Sequence, residues 1–309
     1  EKCEVGRNFA NKIWNAARFV LSNLTHYEPP PSGKGWLKDL TELADRWIVS
    51  RLQRAIKEVE DSLTKRRFSE AAHTIYRFFW HDFCDWYIEI AKPRLYHEDE
   101  TSKQLVQQIL VFILDQGLKL LHPFMPFITE EIWQRLPGTA SSIMVAEFPS
   151  SSHFMEDRDA LEEMELLMGA ISGIRNIRGE MNIPPGKKVN VVLDVAGTED
   201  REVLTQNLSH LRTLSKVDEV VLEAGVPKPE ASATAVFGRN QVHVLLKGLL
   251  DFEEERKRLR KGIGKLEKEI GISRKKLSNP NFVEKAPSHI VAEVKEKVET
   301  LTHKLEKLN

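Results

Sequence analysis

From residue 249 onward the apolar positions recur in steps of three and four, and few folds satisfy that spacing. Leu249, Phe252, Leu259, Ile263, Leu266, Ile270 and Leu277 form one seam, with Arg256 and Ser273 filling two of its places. After Ser278-Asn279-Pro280-Asn281 a second seam runs through Val291, Val294, Val298, Leu301, Leu305 and Leu308. A repeat averaging 3.5 residues keeps one stripe of a helix facing a partner helix. A Pro/Asn turn between two such stripes folds the second back on the first. Residues 249–309 are therefore expected to form an antiparallel coiled-coil hairpin. Gly262, Gly264 and Gly271 weaken its first arm by about 1 kcal/mol each relative to Ala and favour a bend.

The preceding chain divides into two textures. Residues 1–150 read as five helices in a bundle. Apolar side chains recur at helical spacing in Phe9, Ile13, Ala16, Val20 and Leu24, in Ile48, Leu52, Ala55, Val59 and Leu63, and in Leu105, Ile109, Phe112 and Leu120. The aromatic run Ser69 to Lys92 continues that phase through Ile75, Phe79, Phe83, Trp86 and Ile90, and Pro93 is expected to stop it. Pro123 closes the fourth helix, and a short fifth spans Thr129 to Leu136. Tyr27 to Gly35, rich in Pro and Gly, is a loop. Residues 151–248 change character: a helix over Asp157 to Arg178 is followed by a Pro184-Pro185-Gly186 turn. Short alternating runs then come at Val189 to Asp194, Val217 to Leu222, Ala233 to Phe237 and Val242 to Leu246, with one helix around Arg201 to Ser209. The fold class is mainly α: a helical bundle (1–150), a small α+β module (151–248) and a coiled-coil hairpin (249–309).

The overall net charge of −1 says nothing about partners, but its distribution does. Arg256 to Lys276 holds ten basic residues against two acids, Glu267 and Glu269. Arg258, Lys261, Lys265, Lys268 and Lys275 each fall two positions after a seam residue, on the outward face of one arm, with Lys276 beside them. The second arm offers His289, Glu293, Glu296, Thr300, His303 and Lys307 at the equivalent places. A solvated face would carry mixed signs, as the second arm does. A one-sided cationic stripe fits a polyanion lying along it.

The first helix has a second polar surface. At about 100° per residue, Asn8, Asn11, Asn15, Arg18 and Ser22 share one face with Arg7 and Lys12 at its flanks. Phe19 lies within that face, where burial does not account for it. Amides, a guanidinium and an open ring suit unstacked RNA bases, while the plainer alternative has the Asn side chains capping loops and Phe19 meeting another helix.

Catalytic patterns are missing. His81, Cys84 and Asp85 sit at metal-ligand spacing, yet they are embedded in Phe78, Phe79, Trp80, Phe83, Trp86 and Tyr87 and are expected to pack rather than bind metal. Neither Gly33-Lys34-Gly35 nor Pro185-Gly186-Lys187 has the glycine spacing of a phosphate loop, and no GxSxG occurs. Cys3 and Cys84 are too few for a disulfide framework and are expected to stay reduced. No run reaches the 18 to 20 apolar residues of a membrane span. The opening Glu1-Lys2-Cys3-Glu4 has neither initiator Met nor leader, as expected for a piece of something longer.

Several blocks, in order, resemble the C-terminal half of valyl-tRNA synthetases. They begin with GRNFANKIWNAARF (6–19), DRWI with SRL (45–52) and FCDWYIE (83–89). They continue with LHPFMPFITEEIW (121–133), IRNIR (174–178) with NIPP (182–185), and LSNPNFV with KAP (277–287). The HPFMPFITEEIW block is shared with the isoleucine and leucine enzymes, whereas the SNPNF turn between heptad runs narrows the resemblance to valine. It implies an anticodon-binding bundle, with Arg7, Asn8, Asn11, Asn15, Arg18 and Phe19 as candidate base contacts. It also implies an arm against the tRNA outer corner, with Arg258, Lys261, Lys265, Lys268, Lys275 and Lys276 as candidate backbone contacts. The family's HIGH and KMSKS signatures are absent here. The resemblance therefore implies valine tRNA as partner and ATP with Mg as cofactor of the longer enzyme only, with no metal, membrane or second subunit for these residues and a cytoplasmic location. An organellar copy would carry its targeting segment upstream. Two rival readings are a stand-alone tRNA-binding module and a coiled-coil protein scaffold.

Overall fold

The computed structural model describes residues 2–31, 33, 35–97, 99–151, 156–249, 252–279 and 288–306, apart from the side chains of 2, 3, 252–259, 261, 262, 288, 289, 304 and 306. By contact density these residues form two compact units, one of 1–228 with 234–244, the other of 229–233 with 245–309.

In the first unit, α1 (Lys2–Ser22), α2 (Leu43–Thr64), α3 (Phe68–Arg77), α4 (Ile88–Leu95), α5 (Glu100–Leu121) and α6 (Pro126–Trp133) make the bundle. Helix α2 runs through its centre, burying Trp47, Ile48, Leu52, Ile56 and Val59. Helix α5 supplies the facing layer, and at Gly117 its bare backbone receives the Phe79 ring, which lies 2.7 Å from where a Cβ would stand. Asp99 starts α5 by accepting from the Thr101 and Ser102 amides, so two of the unpaired N–H groups of its first turn are met.

The aromatic run departs from the expected single α-helix. Phe78–Tyr87 between α3 and α4 is a π-helix. Its buried residues pair at a spacing of five: Phe78 with Phe83, Phe79 with Cys84, Asp82 with Tyr87. An i→i+5 turn puts both members of each pair inward, which a 3.6-residue turn does not. Trp86, placed in the core by the 3.6-residue phase, is instead only half-buried. Pro93 does not stop the helix either. It lies inside α4, on the exposed side. The turn continues because Leu95 is buried and Arg94 donates to Asp45 at 2.7 Å. Helix α6 starts three residues earlier than expected, with Pro126 at its first position.

Helix α7 (Arg158–Glu180) is capped by Asp157 and packs on α2. Arg46 meets Asp157 at 2.8 Å and Arg54 meets Glu156 at 2.6 Å, joining it to the bundle. Beyond it, β1 (Val189–Asp194), β2 (Val217–Glu223), β3 (Ser232–Phe237) and β4 (Asn240–Leu245) form a sheet in the order β2-β1-β4-β3. Strands β1 and β2 are parallel, which requires a crossover. The one helix expected there is two, α8 (Thr198–Gln206) and α9 (Leu208–Ser215). The break falls at Asn207, whose side-chain amide bonds back to the Val203 carbonyl at 2.8 Å.

The second unit is the hairpin: α10 (Phe252–Leu277), about 39 Å long at 1.5 Å per residue, packs on α11 (Ser288–Glu306). Ile270, Ser273 and Leu301 are buried and Ile263, Leu266, Leu277, Val291, Val294, Val298 and Leu305 are half-buried, so the seam is as expected from Ile263 on. Leu249, expected to open the seam, lies in a turn ahead of α10, and the seam side chains Phe252, Arg256 and Leu259, all of Leu308 and the turn around Pro280 lie outside the described residues.

Candidate nucleic-acid interface

Helix α1 buries Phe9, Ile13, Ala16 and Val20 and turns its opposite face outward. Arg7, Asn8, Asn11, Asn15, Arg18 and Ser22 are exposed, and Arg18 donates to the Asn15 side-chain oxygen at 3.1 Å. The other groups around this face are tied down. Lys12 donates to Asp85 at 2.6 Å and sits 5.0 Å from the Trp80 ring centre. Phe19 is not an open ring: it is half-buried, with the Lys92 ammonium 5.7 Å from its centre. The half-buried Trp86 is likewise covered by Arg175, 5.2 Å from its ring centre. That contact and the Leu214 carbonyl, which accepts from Arg175 at 3.0 Å, hold α7 and α9 beside the π-helix.

Sequence reasoning missed Trp14. It lies between the polar and apolar faces of α1, about 80° from the centre of the polar one at 100° per residue. It is 40% exposed. A ring at a face boundary was the available signal, but only the packing of α6 on α1 shows that it borders a groove.

On the arm, Arg260, Lys265, Lys268, Arg274, Lys275 and Lys276 are exposed. None of them has a salt bridge among the described residues. Glu269, one of the two acids in the basic stretch, faces away to Lys297 of α11 at 3.9 Å. The cationic row is interrupted once, by the exposed Ile272. At the equivalent positions of α11, Glu293, Glu296, Thr300 and His303 are exposed and bring no cationic row. The backbones of Arg258 and Lys261 are helical, but their side chains lie outside the described residues.

Around the π-helix, His81 Nδ1 is 3.5 Å from Asp85, and burial pushes the Cys84 thiol up to about 12. A thiol so far from ionisation is a poor ligand and a poor nucleophile. Asp82 is buried beside Arg51 at 2.8 Å; burial raises its carboxyl above the usual range, and Arg51 opposes that shift.

Two family models match the chain. Residues 45–193 match the anticodon-binding domain of tRNA ligases, and residues 251–309 match the valyl tRNA synthetase tRNA binding arm. Full-length similarity runs to valine–tRNA ligases: 47% identity over 300 residues with that of Geobacter sulfurreducens, 44% over 304 with Thermotoga maritima and 40% over 300 with Bacillus subtilis. The chain belongs to the valyl-tRNA synthetase family. These alignments cover 96%, 98% and 96% of the chain but only 34%, 33% and 33% of the relatives, so the chain spans about a third of their length. The anticodon-binding match extends through α7, which packs on α2, into β1, and it begins after α1. Members of a valyl-tRNA synthetase family are expected to use ATP with Mg, and the described residues do not fit that group. The Lys187 turn leads into β1 rather than a helix N-terminus, and among the described residues no three His, Cys, Asp or Glu side chains converge.

Proposed function

We propose that this chain is the tRNA-gripping part of a valine–tRNA ligase, divided by role into 1–150, 151–248 and 249–309. The polar face of α1, through Arg7, Asn8, Asn11, Asn15 and Arg18 with Phe19 at its edge, meets anticodon bases. The arm holds ribose-phosphate at the tRNA outer corner through Lys265, Lys268, Lys275 and Lys276, with Arg258 and Lys261 in the same row. Activation of valine with ATP and Mg, and its transfer to tRNA, belong to parts of the ligase other than these residues. The working form is a cytoplasmic monomer. The observation that carries this reading is the outward row of exposed cations on α10, which have no salt bridge among the described residues, beside an acid-bearing α11. Phosphates neutralised along such a row release their counterions, which drives binding without base contacts.

A competition experiment tests it. The chain should shift labelled valine tRNA in a native gel, and unlabelled valine tRNA should compete better than other tRNAs. Equal competition by all tRNAs would leave only a non-selective module. Absence of any shift would favour the protein-scaffold reading of the hairpin.

A further inference from the structure

The groove beside Trp14 is a part of the α1 surface that the polar-face reading leaves unused. Its floor is Ala17, Leu21 and Ile132; Trp14 forms a wall; Arg18, Ser22 and Arg135 stand at the rim. Its volume of about 370 Å³ lies near the lower end of small-ligand pockets, roughly 300 to 1,000 Å³. That is room for one base with its sugar, not for a helix.

Three rings of the neighbouring surface already carry a cation from this chain: Lys12 over Trp80, Lys92 over Phe19 and Arg175 over Trp86. Trp14 has none among the described residues, and its indole remains 40% exposed. Its guanidinium neighbours are unequal. Arg135 is bound to Glu131 at 2.5 Å, whereas among the described residues Arg18 meets only the neutral Asn15 side-chain oxygen and no carboxylate. An open aromatic face, an apolar floor and one uncompensated guanidinium make up the recognition chemistry of a single-stranded nucleotide.

We propose that this groove takes one unstacked nucleobase of an RNA loop, its flat face on the Trp14 indole and its phosphate at Arg18. The inference rests on the tRNA-gripping reading and adds to it the groove and the stacking residue. Because Asn15 and Arg18 are joined, the base in the groove and its neighbours on the amide face are held in one register.

The test uses the whole chain and the anticodon stem-loop of valine tRNA, intact or with one abasic site at each loop position in turn, with binding followed by fluorescence anisotropy. Trp14→Ala should weaken the intact stem-loop roughly ten-fold, as expected for loss of one base–aromatic stack, and Trp14→Phe should restore most of that loss. One abasic position should cost the native chain a similar factor and cost Trp14→Ala nothing more. If Trp14→Ala binds the stem-loop as the native chain does, or every abasic penalty persists in it, the groove does not hold a base although the wider reading stands. If the native chain binds neither the stem-loop nor intact tRNA, the tRNA-gripping reading falls first and this inference with it.

Discussion

Replacing Lys265, Lys268 and Lys275 with Ala removes three cations from the exposed row of α10 without touching the seam. If each neutralises one phosphate, the slope of log K against log salt should become shallower by about 2 to 3, at 0.7 to 0.9 per contact. With the electrostatic contribution taken to vanish near about 1 M salt, three contacts amount to a roughly hundred-fold loss at about 0.15 M. At about 0.05 M the same reasoning gives a loss of roughly a thousand-fold. Ala is at least as good a helix former as Lys, so helicity should be preserved. The assay is tRNA binding by anisotropy from about 0.05 to 0.3 M salt, with Glu293→Gln/Glu296→Gln on the opposite arm as the control that should not flatten the slope. An affinity loss with an unchanged slope would mean that the variant acts through the fold. No change in either would remove the arm's lysines from tRNA binding.

Other outcomes concern the fold that carries the interface. Asp45 is fully buried, accepting from Arg94 at 2.7 Å and from the Tyr87 hydroxyl at 2.9 Å. Asp45→Ala strands the Arg94 guanidinium and should lower stability by about 3 to 5 kcal/mol in urea denaturation, whereas a loss under about 1 kcal/mol would show the site relaxing to water. Gly117→Ala places a Cβ 2.7 Å from the buried Phe79 ring and should cost about 1 to 3 kcal/mol by overpacking; an unchanged melting temperature would show that the ring shifts freely. The bond from Arg54 holds the Glu156 carboxyl below its ordinary value of 4.5, so the folded state binds fewer protons than the unfolded chain. That contribution is complete above about pH 4.5 and is lost as pH falls through the lower folded value. Denaturation midpoints should therefore drop through this window in the native chain and drop less in Arg54→Ala, and parallel profiles would refute the coupling. On α1, Asn11→Ala should weaken valine tRNA more than a tRNA with an altered anticodon, and equal losses would remove that face from base readout.

Much of the molecule was legible because its signals are local. The heptad seam from Ile263 to Leu305, the alternation in β1 and the apolar stripe of α1 each record, in a short window, which side of an element meets apolar neighbours. The outward position of Lys265, Lys268 and Lys275 follows from the same counting, since a residue two past the seam cannot face it. What the sequence could not determine were the places where distant partners choose among local options. The aromatic run fits a helix of either pitch. The π-turn prevails because Phe78, Phe83, Cys84 and Tyr87 must all enter one core. Pro93 marks a helix end only where nothing beyond it is held, and here the burial of Leu95 and the pull of Asp45 on Arg94 carry the helix past it. The two rings bordering the polar face of α1 look alike in sequence. Tertiary packing brings Lys92 over Phe19 and opens a groove beside Trp14, because α4 and α6 approach that helix from residues far along the chain.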